Sequence, residues 1–113
     1  MIYIYHNPRC TKSRQGLALL EEKGLEIQVI KYLDQGLKES EVKGLLEALD
    51  YTPMELIRKN EAIWKSDYKG KDLSDMEIIK AMVDHPKLME RPIVINQDKA
   101  VVGRPTEKIL EIL

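Results

Sequence analysis

The chemistry-bearing residues of this chain cluster near its beginning, in His6-Asn7-Pro8-Arg9-Cys10-Thr11-Lys12-Ser13-Arg14, where Cys10 is the only cysteine. The segment follows a short apolar run, Ile2-Tyr3-Ile4-Tyr5. That order reads as a strand that ends, a turn at Asn7-Pro8, and a helix that opens at or just after the cysteine. The unpaired amides of a helix N-terminus then face the sulfur. His6, Arg9, Lys12 and Arg14 add positive or potentially positive charge. Surroundings of this kind lower a thiol pKa from about 8.5 to roughly 3.5–7.5. The resulting thiolate is both nucleophilic and redox-active. A cysteine serving only as a small apolar core residue would gain nothing from the proline and the cations, so Cys10 is read as a reactive thiol.

The elements that must position this thiol follow from the patterning. After the first strand, Ser13 to Lys23 carries Leu17, Ala18, Leu19 and Leu20 on a helix capped by Gly24. Glu26-Ile27-Gln28-Val29-Ile30 alternates as a second strand, which makes a βαβ unit with parallel strands. The middle of the chain reads as helical. Val42, Leu45, Leu46 and Leu49 recur at helical spacing behind Ser40 as N-cap. Pro53 opens a helix through Leu56 and Ile57. A capping box, Ser74 to Glu77, leads into Ile78, Ile79, Met82 and Val83, and His85-Pro86 closes that helix. Asp67 to Lys71 is a polar turn. Pro92-Ile93-Val94-Ile95 and Ala100-Val101-Val102 form a hairpin around Asn96 to Lys99. Gly103-Arg104-Pro105 leads to a last helix with Ile109, Leu110 and Leu113 on one side. The order βαβ, helices, ββα predicts an α/β protein. Its thioredoxin-like core has a mixed four-stranded sheet, with a helical insertion over about 36–87 in a single 1–113 domain.

Composition narrows the function classes. The chain has 113 residues, 43% hydrophobic and 33% charged, with a net charge of −1. No global basic field draws it to nucleic acid or to a membrane surface. No segment approaches the ~20 apolar residues of a membrane-spanning helix, and no signal peptide is visible. One cysteine forms no internal disulfide, in keeping with a reducing compartment. The expectation is a cytoplasmic monomer. His6 and Cys10 are two ligands where a structural zinc site uses four, so no metal is expected.

The whole chain resembles the glutaredoxin-coupled arsenate reductase (ArsC-like) family. Its active-site pattern His-x3-Cys-x3-Arg is matched by His6, Cys10 and Arg14. Three further arginines match the family's oxyanion ligands: Arg58 in Glu55-Leu56-Ile57-Arg58, Arg91 in Glu90-Arg91-Pro92, and Arg104 in Val102-Gly103-Arg104-Pro105. The resemblance implies that Cys10 is the catalytic nucleophile and that His6 and Arg14 support its thiolate. It also implies that Arg58, Arg91 and Arg104 bind the oxyanion, and that the Arg91-Pro92 peptide is cis. Arsenate is then the substrate, glutathione the co-substrate and glutaredoxin the protein partner, with no tightly bound cofactor. The chain departs from the family where Thr11-Lys12 follows the cysteine in place of a Gly-Thr pair. That departure keeps two alternatives open: a thiol-dependent oxidoreductase that does not act on arsenate, and a redox regulator of the Spx type. Against the regulator, Ser13 stands where a Cys-x-x-Cys switch needs its second thiol. The arginines carry plainer readings as solvated surface residues. Trp64 and Tyr68 read as packing residues, and His85 as a solvated helix end.

Overall fold

The computed structural model describes residues 1–113. Four short strands build one sheet: β1 (Ile2–Tyr5), β2 (Ile27–Ile30), β3 (Ile93–Asn96) and β4 (Lys99–Val102), in the order β2-β1-β3-β4. β1 runs parallel to β2 and antiparallel to β3, and β3 pairs antiparallel with β4. Helix α1 (Thr11–Glu22) joins β1 to β2. This is the expected mixed, thioredoxin-like α/β core. The register places Ile2 and Ile4 beside Ile27 and Val29, and Ile4 beside Val94. Ile2, Ile4 and Val94 are buried with Leu20 of α1 and with Ile109 and Ile112 near the C-terminus. On the other face of β1, Tyr5 is buried with its ring 6.2 Å from that of Tyr32, and Tyr3 is exposed. The alternation of side chains along a strand thus selects which face α1 and the C-terminal segment cover.

Two compact units divide the chain: Met1–Gln35 with Arg91–Leu113, and Gly36–Glu90. The first holds the sheet, α1, the short helix α2 (Tyr32–Gln35) and the C-terminal segment. The second holds α3 (Glu39–Leu49), α4 (Ala62–Asp67), α5 (Asp75–Asp84) and two 3-10 turns, Pro53–Leu56 and Pro86–Leu88. The sequence places the end of the inserted segment near 87; the second unit runs on to Glu90. Backbone bonding explains the extension. Arg58 N–H donates to Leu88 O (2.7 Å), Glu90 N–H donates to Leu56 O (2.9 Å), and Ile57 bridges Met89 in antiparallel fashion.

Several local expectations need correction. The C-terminal segment Thr106–Ile112 is a 3-10 helix. With three residues per turn, Ile109 and Ile112 share the buried face, while Leu110 and Leu113 are each 45% exposed. The N-cap of α3 is Lys38, whose N–H donates to the Glu41 carboxylate at 3.2 Å, so Ser40 lies inside the helix. The turn opened by Pro53 is a 3-10 turn ending at Leu56. On α1 the buried positions are Ser13, Gly16 and Leu20, and Ala18 is exposed. His85 is half-buried, its ring edge-on to Tyr68 with centroids 6.2 Å apart, and Trp64 stacks on Tyr68 at 5.4 Å. The Ser74 capping box forms as expected, Ser74 N–H donating to Glu77 and Glu77 N–H to the Ser74 hydroxyl.

Candidate active site

Cys10 is the N-cap of α1, with extended backbone (φ −95°, ψ 123°) that aims the open helix end at its own side chain. The preceding turn is tied locally. Cys10 N–H donates to Asn7 O at 3.0 Å, and Arg9 N–H donates to the Asn7 side-chain oxygen at 3.0 Å. An asparagine closing its own backbone turn in this way contributes to fixing the loop. The first turn of α1 holds no acidic residue, so nothing offsets the positive helix end.

Two arginines distant in sequence meet this sulfur. The Arg104 guanidinium stands 3.4 Å from Cys10 Sγ, across 94 positions of sequence. Its Nε–H donates to the Arg91 carbonyl at 2.7 Å, which fixes the orientation of the planar fork. Arg91 itself is buried. Burial of Cys10 pushes its thiol pKa up. The Ser13 amide, the Arg91 side chain through a hydrogen bond and its charge, and the Lys12 amide together outweigh that effect, and the pKa falls below the ordinary thiol value. The sequence reading credits the nearby cations His6, Arg9, Lys12 and Arg14. The structure keeps the helix amides, which the sequence also points to, and puts Arg91 in the place of those four cations.

The loops that carry these arginines pack tightly. Both Arg91-Pro92 and Arg104-Pro105 peptides are cis; the first was expected from the resemblance and the second was not. Gly103 N–H donates to Pro92 O at 2.9 Å. A Cβ on Gly103 would come within 3.0 Å of Pro92 Cγ and 3.1 Å of Ile109, and a Cβ on Gly16 within 3.0 Å of the same Pro92 carbon. Two glycines therefore cradle the proline ring, one from α1 and one from the loop after β4.

His6 and Arg14 lie near this arrangement in different ways. His6 is buried, and its Nδ1 lies 2.7 Å from Ser13 Oγ. Ser13 is fully buried and also accepts the Asn7 N–H at 2.9 Å. Burial lowers the His6 pKa, and the Lys31 charge lowers it further, so the ring is neutral near pH 7. Ser13 thus links His6, the Asn7 backbone and the helix start. From sequence, Ser13 reads as the start of the helix and as the residue standing in place of a second cysteine; a serine at the third helical position after a cysteine N-cap is the signal for its buried role. Arg14 donates to Pro8 O at 3.0 Å and to Thr11 Oγ1 at 3.2 Å, which braces the turn around Cys10. Arg58 belongs to the Gly36–Glu90 unit, where its Nε lies 3.5 Å from Glu61 Oε1. No group of three or more His, Cys, Asp or Glu side chains is clustered so as to hold a metal ion.

A thiol of lowered pKa at a helix N-terminus, with an arginine fork on the sulfur and a buried arginine beside it, can hold an anion against a nucleophile. The model of the ArsC family matches residues 5–112. The chain belongs to the ArsC family. It is 46% identical to the uncharacterized protein YfgD of Escherichia coli K12, over 99% of this chain and 96% of that protein. It is 43% identical to a protein named arsenate reductase from Haemophilus influenzae, over 99% and 98% of the two chains. A solved structure named arsenate reductase from Vibrio cholerae superposes with a TM-score of 0.95 at 46% identity, covering 99% of this chain and 97% of that one. For this ArsC-family chain, no helix is long and apolar enough to cross a membrane.

Proposed function

We propose that this protein is an arsenate reductase of the glutathione- and glutaredoxin-coupled type, with Cys10 as its nucleophile. The observation that carries the reading is the Arg104 fork 3.4 Å from the Cys10 sulfur. A tetrahedral dianion approaching that sulfur gains paired, charge-assisted hydrogen bonds as it arrives. Arg91 supplies a buried charge that favours both the thiolate and the anion. Arg58 is the third oxyanion ligand in this reading, on the strength of its matching motif. His6, through Ser13, and Arg14, through Pro8 and Thr11, hold the turn in the shape that keeps the thiolate exposed to substrate.

In the proposed reaction, the Cys10 thiolate displaces one arsenate oxygen, which takes up protons and leaves as water. Glutathione thiolate then displaces a second oxygen in the same way. Arsenic departs as arsenite, keeping the electron pair of its bond to one sulfur, while the two sulfurs join as a disulfide between Cys10 and glutathione. Arsenic gains two electrons and the two thiols lose them. A glutaredoxin thiol then attacks the glutathione sulfur and releases Cys10 as thiolate, which is the better leaving group when its pKa is low. In this reading the chain is a single domain and the enzyme works as a cytoplasmic monomer.

Ser13 weighs against a Cys-x-x-Cys regulator, since its hydroxyl is fully buried and committed to His6 and the Asn7 amide. The test is arsenate-dependent NADPH oxidation with glutathione, glutaredoxin and glutathione reductase, each omitted in turn. Turnover that requires both glutathione and glutaredoxin supports the reading. Turnover with a thioredoxin system alone, or none with any thiol reductant, would overturn it.

A further inference from the structure

A cavity of about 380 Å³ opens beside the loop that carries Cys10, and the thiolate–arginine arrangement makes no use of it. One wall is the segment before the nucleophile, with His6, Asn7 and Arg9. The other is the end of β2 and the start of α2, with Lys31, Leu33 and Asp34. Its volume falls in the range of small-molecule sites, on the order of 300–1,000 Å³. Because Cys10 N–H bonds Asn7 O, the same four-residue turn forms a wall of the cavity and presents the sulfur.

The charges in the cavity form a specific pattern. Arg9, Lys31 and Asp34 are exposed, and none of them is in an ion pair. The site thus offers two cations, one carboxylate and an apolar strip at Leu33. A lone tetrahedral oxyanion would be repelled by Asp34 and would leave the apolar strip uncovered. A peptide bearing carboxylates and an ammonium would satisfy all three charges. Lys31 also acts electrostatically on buried His6, alongside the larger effect of burial, with Arg14 lowering and Glu21 and the Ser13 bond raising the ring's pKa. An occupant that neutralises Lys31 would therefore be felt at His6.

We propose that this cavity is the docking subsite for the reductant, a small zwitterionic peptide thiol of the glutathione class, held by Arg9 and Lys31 at its carboxylates and by Asp34 at its ammonium. The inference rests on the reading above that a peptide thiol reduces the Cys10 adduct, and it gives that thiol a place separate from the arginines that hold the oxyanion.

The test uses S-methylglutathione, whose blocked sulfur cannot exchange with Cys10. In an NMR titration of the full chain, the amides of residues 6–9 and 31–34 should shift together and saturate, and the His6 ring should become easier to protonate. Lys31→Glu should weaken binding about tenfold or more, the cost of one charged contact, and Lys31→Arg should keep it within about twofold. Asp34→Lys should weaken it several-fold. In turnover, the same variants should raise the KM for glutathione by similar factors and leave the KM for arsenate unchanged. Shifts confined to residues near Arg91 and Arg104 would overturn the proposal. So would arsenate perturbing the cavity amides as strongly as the peptide, or binding indifferent to Lys31→Glu. The blocked-thiol titration decides the cavity even if arsenate turnover is absent, whereas that absence would count against the enzyme reading alone.

Discussion

Arg104 reaches Cys10 from 94 positions away, donating to its sulfur at 3.4 Å while its Nε is anchored on the Arg91 carbonyl at 2.7 Å. The side chain of one arginine is therefore held by the backbone of the other. Replacing Arg104 removes the sulfur contact outright, whereas a substitution at position 91 keeps the carbonyl anchor and removes only the buried side chain. Arg104→Ala is expected to lower kcat/KM for arsenate by about 10²–10³-fold, the usual loss for one well-placed oxyanion donor. Steady-state kinetics on the folded variant check it.

The Cys10 pKa lies below the ordinary thiol value because amide and Arg91 interactions outweigh burial. The alkylation rate with iodoacetamide should therefore rise with pH through a midpoint below that of a free cysteine. Arg91→Ala removes a hydrogen bond and a charge that favour the thiolate, so the midpoint should move up and the rate at pH 7 should fall. Substituting Arg9 should leave the midpoint nearly unchanged.

Ser13 sits fully buried between the His6 ring and the Asn7 amide. Ser13→Ala leaves both polar groups without that partner, at a cost of about 1–3 kcal/mol. Urea denaturation of the two proteins measures the difference.

Packing around Pro92 makes a further prediction. A methyl group at Gly103 meets Pro92 and Ile109 at 3.0–3.2 Å, closer than ordinary contact. Gly103→Ala should destabilise the protein by about 1–3 kcal/mol, as overpacking does. It should also slow turnover, because Pro92 follows Arg91 and Gly103 precedes Arg104, so a shift of the packed ring is passed to both arginines. By contrast Gly44, whose added methyl would meet nothing within 4 Å, should accept alanine without loss.

Acid should weaken the fold through His6. Burial, then Lys31, holds its folded pKa below the ordinary 6.5. The unfolded chain then binds the proton more readily, so the contribution is fully present above pH 6.5 and is lost as pH falls below it toward the folded value. The melting temperature should decline over that window, and His6→Gln should flatten the decline.

Local signals made much of this fold legible in the sequence. The Ser74–Glu77 capping box, the apolar runs of β1 and β3, the alternating run of β2 and the strand-helix-strand spacing each involve neighbours along the chain, and sequence displays such neighbours directly. Where the outcome depended on tertiary contacts, the sequence pointed elsewhere. Leu110 and Leu113 look as apolar as Ile112, and only the 3-10 winding, anchored by Asn96 Nδ2 donating to Ile112 O at 2.6 Å, decides which are buried. Short α2 and α4 carry too few residues to display a period. The family resemblance singles out Cys10, Arg91 and Arg104, which the structure brings together, and Arg58, which lies in the other unit beside Glu61. The assignment of thiolate stabilisation to Arg91 over adjacent Arg9 and Arg14 required the chain's two ends to be seen together.

The account stands or falls on Cys10 acting as the nucleophile toward arsenate. Arsenite formation should be measured directly for the wild type and for Cys10→Ser, with glutathione and glutaredoxin saturating. The account predicts steady arsenite release by the wild type and a loss of at least about 10³-fold in the folded variant, as expected when a nucleophile is removed. Arsenite release by Cys10→Ser at a rate near that of the wild type would contradict it.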